Sequence, residues 1–283
     1  MHKLLTFQEA LEELDKAEVE AVKKELLKEH LSSNKTASFE WSSKFNLCSF
    51  DWYDVNNSET ETHRILIYLD REEFLVFCEK TDTKEHLQRF MDFGEENNEQ
   101  KFYHFLFNML AHDMDYIDDY EDTIIDAEDA TLSGHYQGYL EKILEYRKEL
   151  LRLKRYYTQL QVICDGLVDN ENGLISETES VHFNILHNRV DRCYAAILNL
   201  QDYVTQMREA YQAQIDIEQN GLMKVFTLIT ALFLPLSLMV GWYGMNFTNM
   251  PELKSAWGYP LFILASILIS TVLIIYFKKK KWF

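Results

Sequence analysis

Proline is nearly absent: the 283 residues hold three, Pro235, Pro251 and Pro260, all beyond residue 234. Keeping helix breakers out of the rest of the chain leaves long helices possible there, and from Glu177 to Gly221 neither proline nor glycine interrupts. Cysteine is sparse too. Cys48, Cys78, Cys164 and Cys193 form no CxxC pair or other metal-ligand spacing, so a zinc module is excluded and reduced, buried thiols of a cytosolic domain are expected. The start, Met-His-Lys-Leu-Leu-Thr, has no apolar run of signal-peptide length before Glu9 and Glu12, which leaves membrane entry to later segments.

Basic residues are also short. Lys and Arg number 28 against 46 Asp and Glu, a net charge of -18. Six of the bases and one of the acids lie after residue 221, so the preceding part holds 22 against 45, about -23. Such a surface repels a phosphate backbone, which excludes nucleic acid as a partner. It attracts cations, although excess acid also serves plain solubility. No Ser-His-Asp set, phosphate-cradling Gly-rich loop or paired-carboxylate pattern occurs, and the nine histidines are scattered. An enzyme is therefore not expected, nor is a cofactor.

What the chain does contain is ordered by composition. Its length suits one modest domain plus an attachment. Residues 6 to 31 have helical spacing through Leu11, Leu14, Val22 and Leu26, and open with Thr6 and Glu9, the pattern of a capping box. Segments rich in strand formers follow at Thr36 to Trp41, Phe45 to Val55, His63 to Leu69 and Phe74 to Cys78, with turn-like connectors such as Asp70-Arg71-Glu72. From about Asp82 the pattern is helical. The stretch His112 to Asp129 carries Asp113, Asp115, Asp118, Asp119, Glu121, Asp122, Asp126, Glu128 and Asp129, which on a helix spread around the surface instead of converging. It lacks the spacing of an EF-hand loop and predicts a solvated acidic helix. Ser133-Gly134 breaks it, Tyr139 to Val168 supplies a second helix, and the two read as a hairpin ended by Asp169-Asn170-Glu171-Asn172-Gly173.

A long helix then begins near Glu177. Val190, Tyr194, Ile197, Val204, Met207 and Tyr211 mark one apolar stripe on it. Continued to Tyr243 it would rise about 100 Å at ~1.5 Å per residue. The hairpin or neighbouring copies must cover the stripe, so self-association is expected.

Val225 to Trp242 and Pro260 to Phe277 are uncharged runs of eighteen residues, each near the ~20 that hydrocarbon requires. Two spans joined by a short loop put both ends on one side. Lys224 and Lys278, Lys279, Lys280 and Lys281 flank them there, against Lys254 alone in the loop, so the positive-inside rule makes both termini cytoplasmic in the cell membrane. Trp242, Tyr243, Trp257 and Tyr259 fall at the outer interface and Trp282 at the inner one.

The loop reads Tyr243-Gly244-Met245-Asn246-Phe247, then Met250-Pro251-Glu252-Leu253, then Gly258-Tyr259-Pro260. Its position after a very long helix, between two terminal spans and before a polybasic tail, resembles the CorA family of magnesium channels, whose signature is Tyr-Gly-Met-Asn-Phe at that place. Asn220, Met223-Lys224, Pro235-Leu236 and the Lys run closed by Trp282 also match the family, and the acidic helix and its partner correspond to the family's helical hairpin. The similarity covers about residues 82 to 283, and the helix at 6 to 31 has no evident counterpart.

This resemblance implies an α+β fold: a small cytoplasmic α/β domain (1–81), an acidic helical hairpin (82–176), a stalk helix (177–221), a first, pore-lining span (222–243), the outer loop (244–258), a second span (259–277) and a basic tail (278–283), assembled as a funnel-shaped homopentamer. By matching the family pattern, Asn220, Met223, Phe226, Thr230, Leu234, Ser237 and Gly241 line the pore, and Gly244, Met245 and Asn246 form the selectivity loop. The wall positions recur every three or four residues, as one helix face should. Mg2+ is the implied cargo and a candidate regulator. It gives up water reluctantly and prefers oxygen, so the Gly244 carbonyl and the Asn246 and Asn220 amides would hold it through its hydration shell. No His, Cys, Asp or Glu stands on this wall, which disfavours inner-sphere capture of softer metals. Met223, Phe226 and Leu234 read as constrictions that exclude water, or as ordinary helix packing. Asn220 and Asn246 are also residue types that cap helices or form turns.

Two positions depart from the family. Counting back without gaps, Asn184-Ile185 occupies the place of the stalk acid that binds regulatory magnesium. Ile185 cannot ligate a cation, which leaves Asp191, Glu177 or Glu179 as substitutes. Thr248 stands where relatives carry an acid after Asn-Phe, so Glu252 alone remains to draw cations to the mouth. Zinc, nickel or cobalt transport within the same family, and a non-conducting membrane-anchored sensor or scaffold, are the alternative functions.

Overall fold

The computed structural model describes residues 2–16, 21–32, 38–55, 62–94, 96–132, 138–245, 250–251 and 255–280. They form two compact units, Met1–Arg208 and Glu209–Phe283.

The first unit is built on a five-stranded sheet of order β1-β5-β4-β3-β2, comprising β1 (His2–Thr6), β2 (Ser38–Ser42), β3 (Phe45–Trp52), β4 (His63–Asp70) and β5 (Phe74–Cys78). β1 pairs parallel with β5, His2 opposite Phe74, and the other neighbours are antiparallel. Four strands lie where strand-forming residues cluster. β1 is an addition to the sequence reading, and Leu4 and Thr6 on it are buried. At the β4–β5 turn the Asp70 carboxylate accepts from the amides of Glu72 and Glu73 at 2.8 and 2.6 Å, an Asx-type closure that explains the aspartate there.

The strands alternate only partly because the sheet is covered on both faces. On one side Leu47, Leu66, Tyr68, Leu75 and Phe77 pack with Ala10, Leu14, Leu27 and Leu31 of the helices α1 (Phe7–Lys16) and α2 (Ala21–Ser32). On the other, Phe74 meets the rings of Phe102 and Phe105 from α4 (Asn98–Met109) at 5.8 and 6.0 Å. Here the single helix expected over 6 to 31 is corrected to two, with residues 17–20 outside the described set. Each buries its own face on the sheet, so their stripes are out of phase, and Val22, placed on the common stripe, is 70 % exposed. The capping box is present: the Thr6 amide donates to Glu9 at 2.7 Å and the Glu9 amide to Thr6 Oγ1 at 3.2 Å.

The helical part follows with α3 (Thr81–Gln88), α4, α5 (Asp113–Leu132), α6 (Tyr139–Asp169) and α7 (Glu177–Tyr243). Ser133-Gly134 lies outside the described residues. α6 lies against β2 and β3 because position 166 has no side chain. A Cβ on Gly166 would come within 2.1 Å of the Phe39 ring. The α6–α7 turn is held by Asn172, whose amide donates to Ser42 O and Asn46 Oδ1 at 2.8 and 2.7 Å, and by Asn170 in the left-handed region (φ 42°).

On α7 the buried residues Glu179, Phe183, Leu186, Val190, Cys193, Ile197, Leu200, Val204 and Met207 recur in alternating steps of four and three, the heptad of helices packed nearly parallel. Val190, Ile197, Val204 and Met207 belong to the stripe as expected. Tyr194 and Tyr211 are only partly buried and sit beside it, while Cys193 and Leu200 complete it. Cover comes from the same chain: Gln201 donates to Leu150 O at 3.2 Å, and Tyr203 bonds Glu128 of α5. All four cysteines are free and buried.

The second unit contains the C-terminal part of α7 and α8 (Gly258–Lys279). Both are long and apolar enough to cross a membrane. Pro235 stands inside α7.

Candidate pore face and outer loop

From residue 221 on, the less exposed residues of α7 are Leu228, Ala231, Leu232, Pro235, Leu236 and Met239, and those of α8 are Gly258, Phe262, Ala265, Ser266, Ile269, Ser270, Leu273 and Phe277. Both sets recur at three- and four-residue steps, the signature of two helices sharing one seam. Tyr243 closes its upper end edge-on against Phe262, ring centres 5.5 Å apart. Beside that contact is a cavity of about 460 Å³ lined by Met239, Tyr243, Gly244, Ser255, Tyr259 and Phe262.

The seven wall candidates fall elsewhere on α7. Asn220, Met223, Phe226, Thr230, Leu234, Ser237 and Gly241 are all exposed, Leu234 at 67 %. At about 100° per residue their mean direction is opposite that of the α8-facing set, so none of the described residues covers them. Asn220 is in the helix interior, where it neither caps nor turns. The Thr230 hydroxyl is spent on the Phe226 carbonyl at 2.8 Å.

At the top of α7 the Gly244 amide donates to Val240 O at 2.9 Å and the Met245 amide to Trp242 O at 3.4 Å. A Cβ on Gly244 would stand 3.0 Å from the same Val240 oxygen, which gives the glycine a physical reason at this exit. Met245 is exposed. Asn246, Glu252 and Lys281 lie outside the described residues. Lys278 and Lys279 form the last turn of α8 and Lys280 is its C-cap, the Lys280 amide donating to Tyr276 O at 3.1 Å. Cations favour that end of a helix dipole.

The acidic candidates of the first unit are engaged within it. Ile185 is 49 % exposed on α7. Glu179 is buried and receives hydrogen bonds from Gln100 and His182 at 2.9 Å each. Burial works against its charge, but those bonds outweigh it and hold the carboxyl below its ordinary value. Asp191 accepts from Gln161 at 2.8 Å and lies 3.2 Å from His187. The α5 carboxylates do not converge, and among the described residues no three His, Cys, Asp or Glu side chains are placed to hold a metal.

A sheet-and-helix unit and two helices long and apolar enough to cross a membrane, one of them of 67 residues, are the architecture to be placed in a class. The profile described as CorA-like Mg2+ transporter protein matches residues 8–279, and the chain belongs to that family; its members are transporters, not enzymes. The match begins at residue 8, so the leading helices belong to the family pattern as well. The chain is 26 % identical over 238 residues to the cobalt/magnesium transport protein CorA of Thermotoga maritima, covering 81 % of this chain and 67 % of that one. To the magnesium transport protein CorA of Wolinella succinogenes it is 46 % identical over 76 residues, 27 % of this chain and 24 % of that relative. Its fold is similar to the complete CorA magnesium transporter from Methanocaldococcus jannaschii, with TM-score 0.81, 19 % identity and coverage of 98 % and 88 %. Full-length CmaX is similar at TM-score 0.77 and 16 % identity, covering 99 % of this chain and 88 % of that one.

Proposed function

We propose that the protein is a channel for hydrated Mg2+, driven inward by the membrane potential, with α7 of several copies forming the wall. The observation that carries this reading is the division of α7 in the second unit. One face packs on α8, and the opposite face, Met223, Phe226, Thr230, Leu234, Ser237 and Gly241, is covered by none of the described residues. Lipid tails can cover the apolar members of that face, but Thr230, Ser237 and Gly241 on it suit water or a like helix better than hydrocarbon. A ring of these helices provides both, and five copies is the number the family resemblance implies.

The wall carries no fixed charge, so an ion passes without being captured. Gly244 and Asn246 would present neutral oxygen to an ion that keeps its water, which suits Mg2+. The potential supplies the drive, about 4.6 kcal/mol per 100 mV for a divalent ion at ~2.3 per charge. The basic end of α8 supports a cytoplasmic side of the cell membrane for both termini.

The test is Mg2+ uptake by liposomes containing wild type or Asn246→Ala, with cobalt hexammine, a mimic of the hydrated ion, as blocker. Loss of flux in an Asn246→Ala protein that assembles normally is expected. Undiminished flux overturns the reading, and a wild type without flux favours a sensor or scaffold. Cobalt is the second candidate ion, because the Thermotoga relative is named for it as well. Competition between Co2+ and Mg2+ in the same assay separates the two.

A further inference from the structure

Among the acids of α5, Asp113 is not solvated. It is 1 % exposed, whereas Asp115, Asp118, Asp119, Glu121, Asp122 and Asp126 face water, which corrects the expectation of a wholly solvated helix. The reason is position. Asp113 opens α5 where its first turn is overlaid by α6 and α7. Its Oδ2 accepts the Tyr157 hydroxyl of α6 at 2.6 Å. No lysine, arginine or histidine lies within ion-pair distance of it among the described residues.

The groups that face it come from every neighbouring element. α6 adds Tyr156, whose buried hydroxyl has no hydrogen-bond partner. α7 adds Cys193 and Arg189. Arg189 lies over the Phe107 ring at 4.8 Å and donates through Nη2 to Ala111 O at 3.1 Å, while its Nη1 is buried and unbonded. Asp54, beyond β3, is 3.4 Å from His86. His112, next in the chain, turns outward to Asp115 at 3.4 Å.

We propose that the buried, ion-pair-free carboxyl of Asp113 is a proton-binding site whose occupancy fastens the start of α5 to α6 and α7. The two forms are closely balanced by opposing forces. Dehydration favours the neutral carboxyl, while the helix N-terminus, the Tyr157 hydroxyl and the Arg189 charge favour the carboxylate. Burial is the larger effect and pushes the carboxyl up to about 7, against the pulls of Tyr157 and Arg189. An unfolded aspartate titrates near ~3.9. The folded value is the higher, so the stability this group contributes is complete below the unfolded value and is lost as pH rises through about 7. Acidification from alkaline pH therefore tightens the junction. In the ionised form the buried, unbonded Nη1 of Arg189 is a charge for the carboxylate to recruit.

The experiment uses the full chain in lipid nanodiscs, followed by infrared difference spectra and thermal unfolding between pH 6 and 8. Wild type should show a protonated-carboxyl band at the acid end that disappears at the alkaline end, and its unfolding midpoint should fall over the same interval. Asp113→Asn should lack the band at both ends and lose most of that fall. Tyr157→Phe, which deletes a donor to the carboxylate, should move the wild-type titration to higher pH. Wild-type spectra indistinguishable from those of Asp113→Asn overturn the proposal. So does a Tyr157→Phe titration at or below the wild-type midpoint, which keeps the test decisive should Asp113→Asn fail to assemble.

Discussion

Single atoms decide more in this protein than residue class does. Gly166 lies in the interior of α6, where alanine would ordinarily gain about 1 kcal/mol of helix propensity. Its missing Cβ, however, is the space taken by the Phe39 ring. Overpacking of this kind costs about 1–3 kcal/mol, so with the propensity gain set against it Gly166→Ala should destabilise the protein by up to about 2 kcal/mol in chemical unfolding. Adding Phe39→Leu should return part of that loss. Neither this contact nor the burial of Asp113 is legible in the sequence. Asp113 carries the same local signal as Asp115, and only the approach of Tyr157 from a distant segment distinguishes them.

At the scale of elements, legibility follows the range of the interactions that make them. α7 begins at Glu177 as expected because an uninterrupted run is a local property. β1 is hidden because its five residues have no pattern of their own and pair with β5, from the far side of the sheet's sequence. The division of α1 from α2 is hidden for a related reason, since both press on the same strands. The proposed wall of α7 is intermediate: its spacing is legible, but the seam with α8 on the other side of the helix is not. The two faces should respond differently to one change. Leu234→Asn, on the free face, should admit water to a constriction and raise Mg2+ uptake. Leu232→Asn, on the seam, should bury an amide against apolar neighbours and lower the yield of assembled protein. Equal effects on uptake at both positions would contradict the assignment of faces.

For the molecule as a whole, charge and hydrophobicity are segregated along the chain, with about -23 before residue 221 and a nearly uncharged remainder closed by lysines. That asymmetry and the two spans are the most legible features, because a bilayer reads composition directly. Uptake should rise with an inside-negative diffusion potential in proteoliposomes and fall when the potential is collapsed, without ATP. Uptake indifferent to voltage would point to another driving force.

Pro235 has a mechanical corollary. It brings no amide hydrogen to α7, so the Ala231 oxygen is deprived of its usual donor in the middle of the span. A helix is softest at such a turn and bends there first. Met223 and Phe226 lie on one side of this pivot and Ser237 and Gly241 on the other, so in the proposed channel a bend there would narrow the bore at one level while the other kept its width.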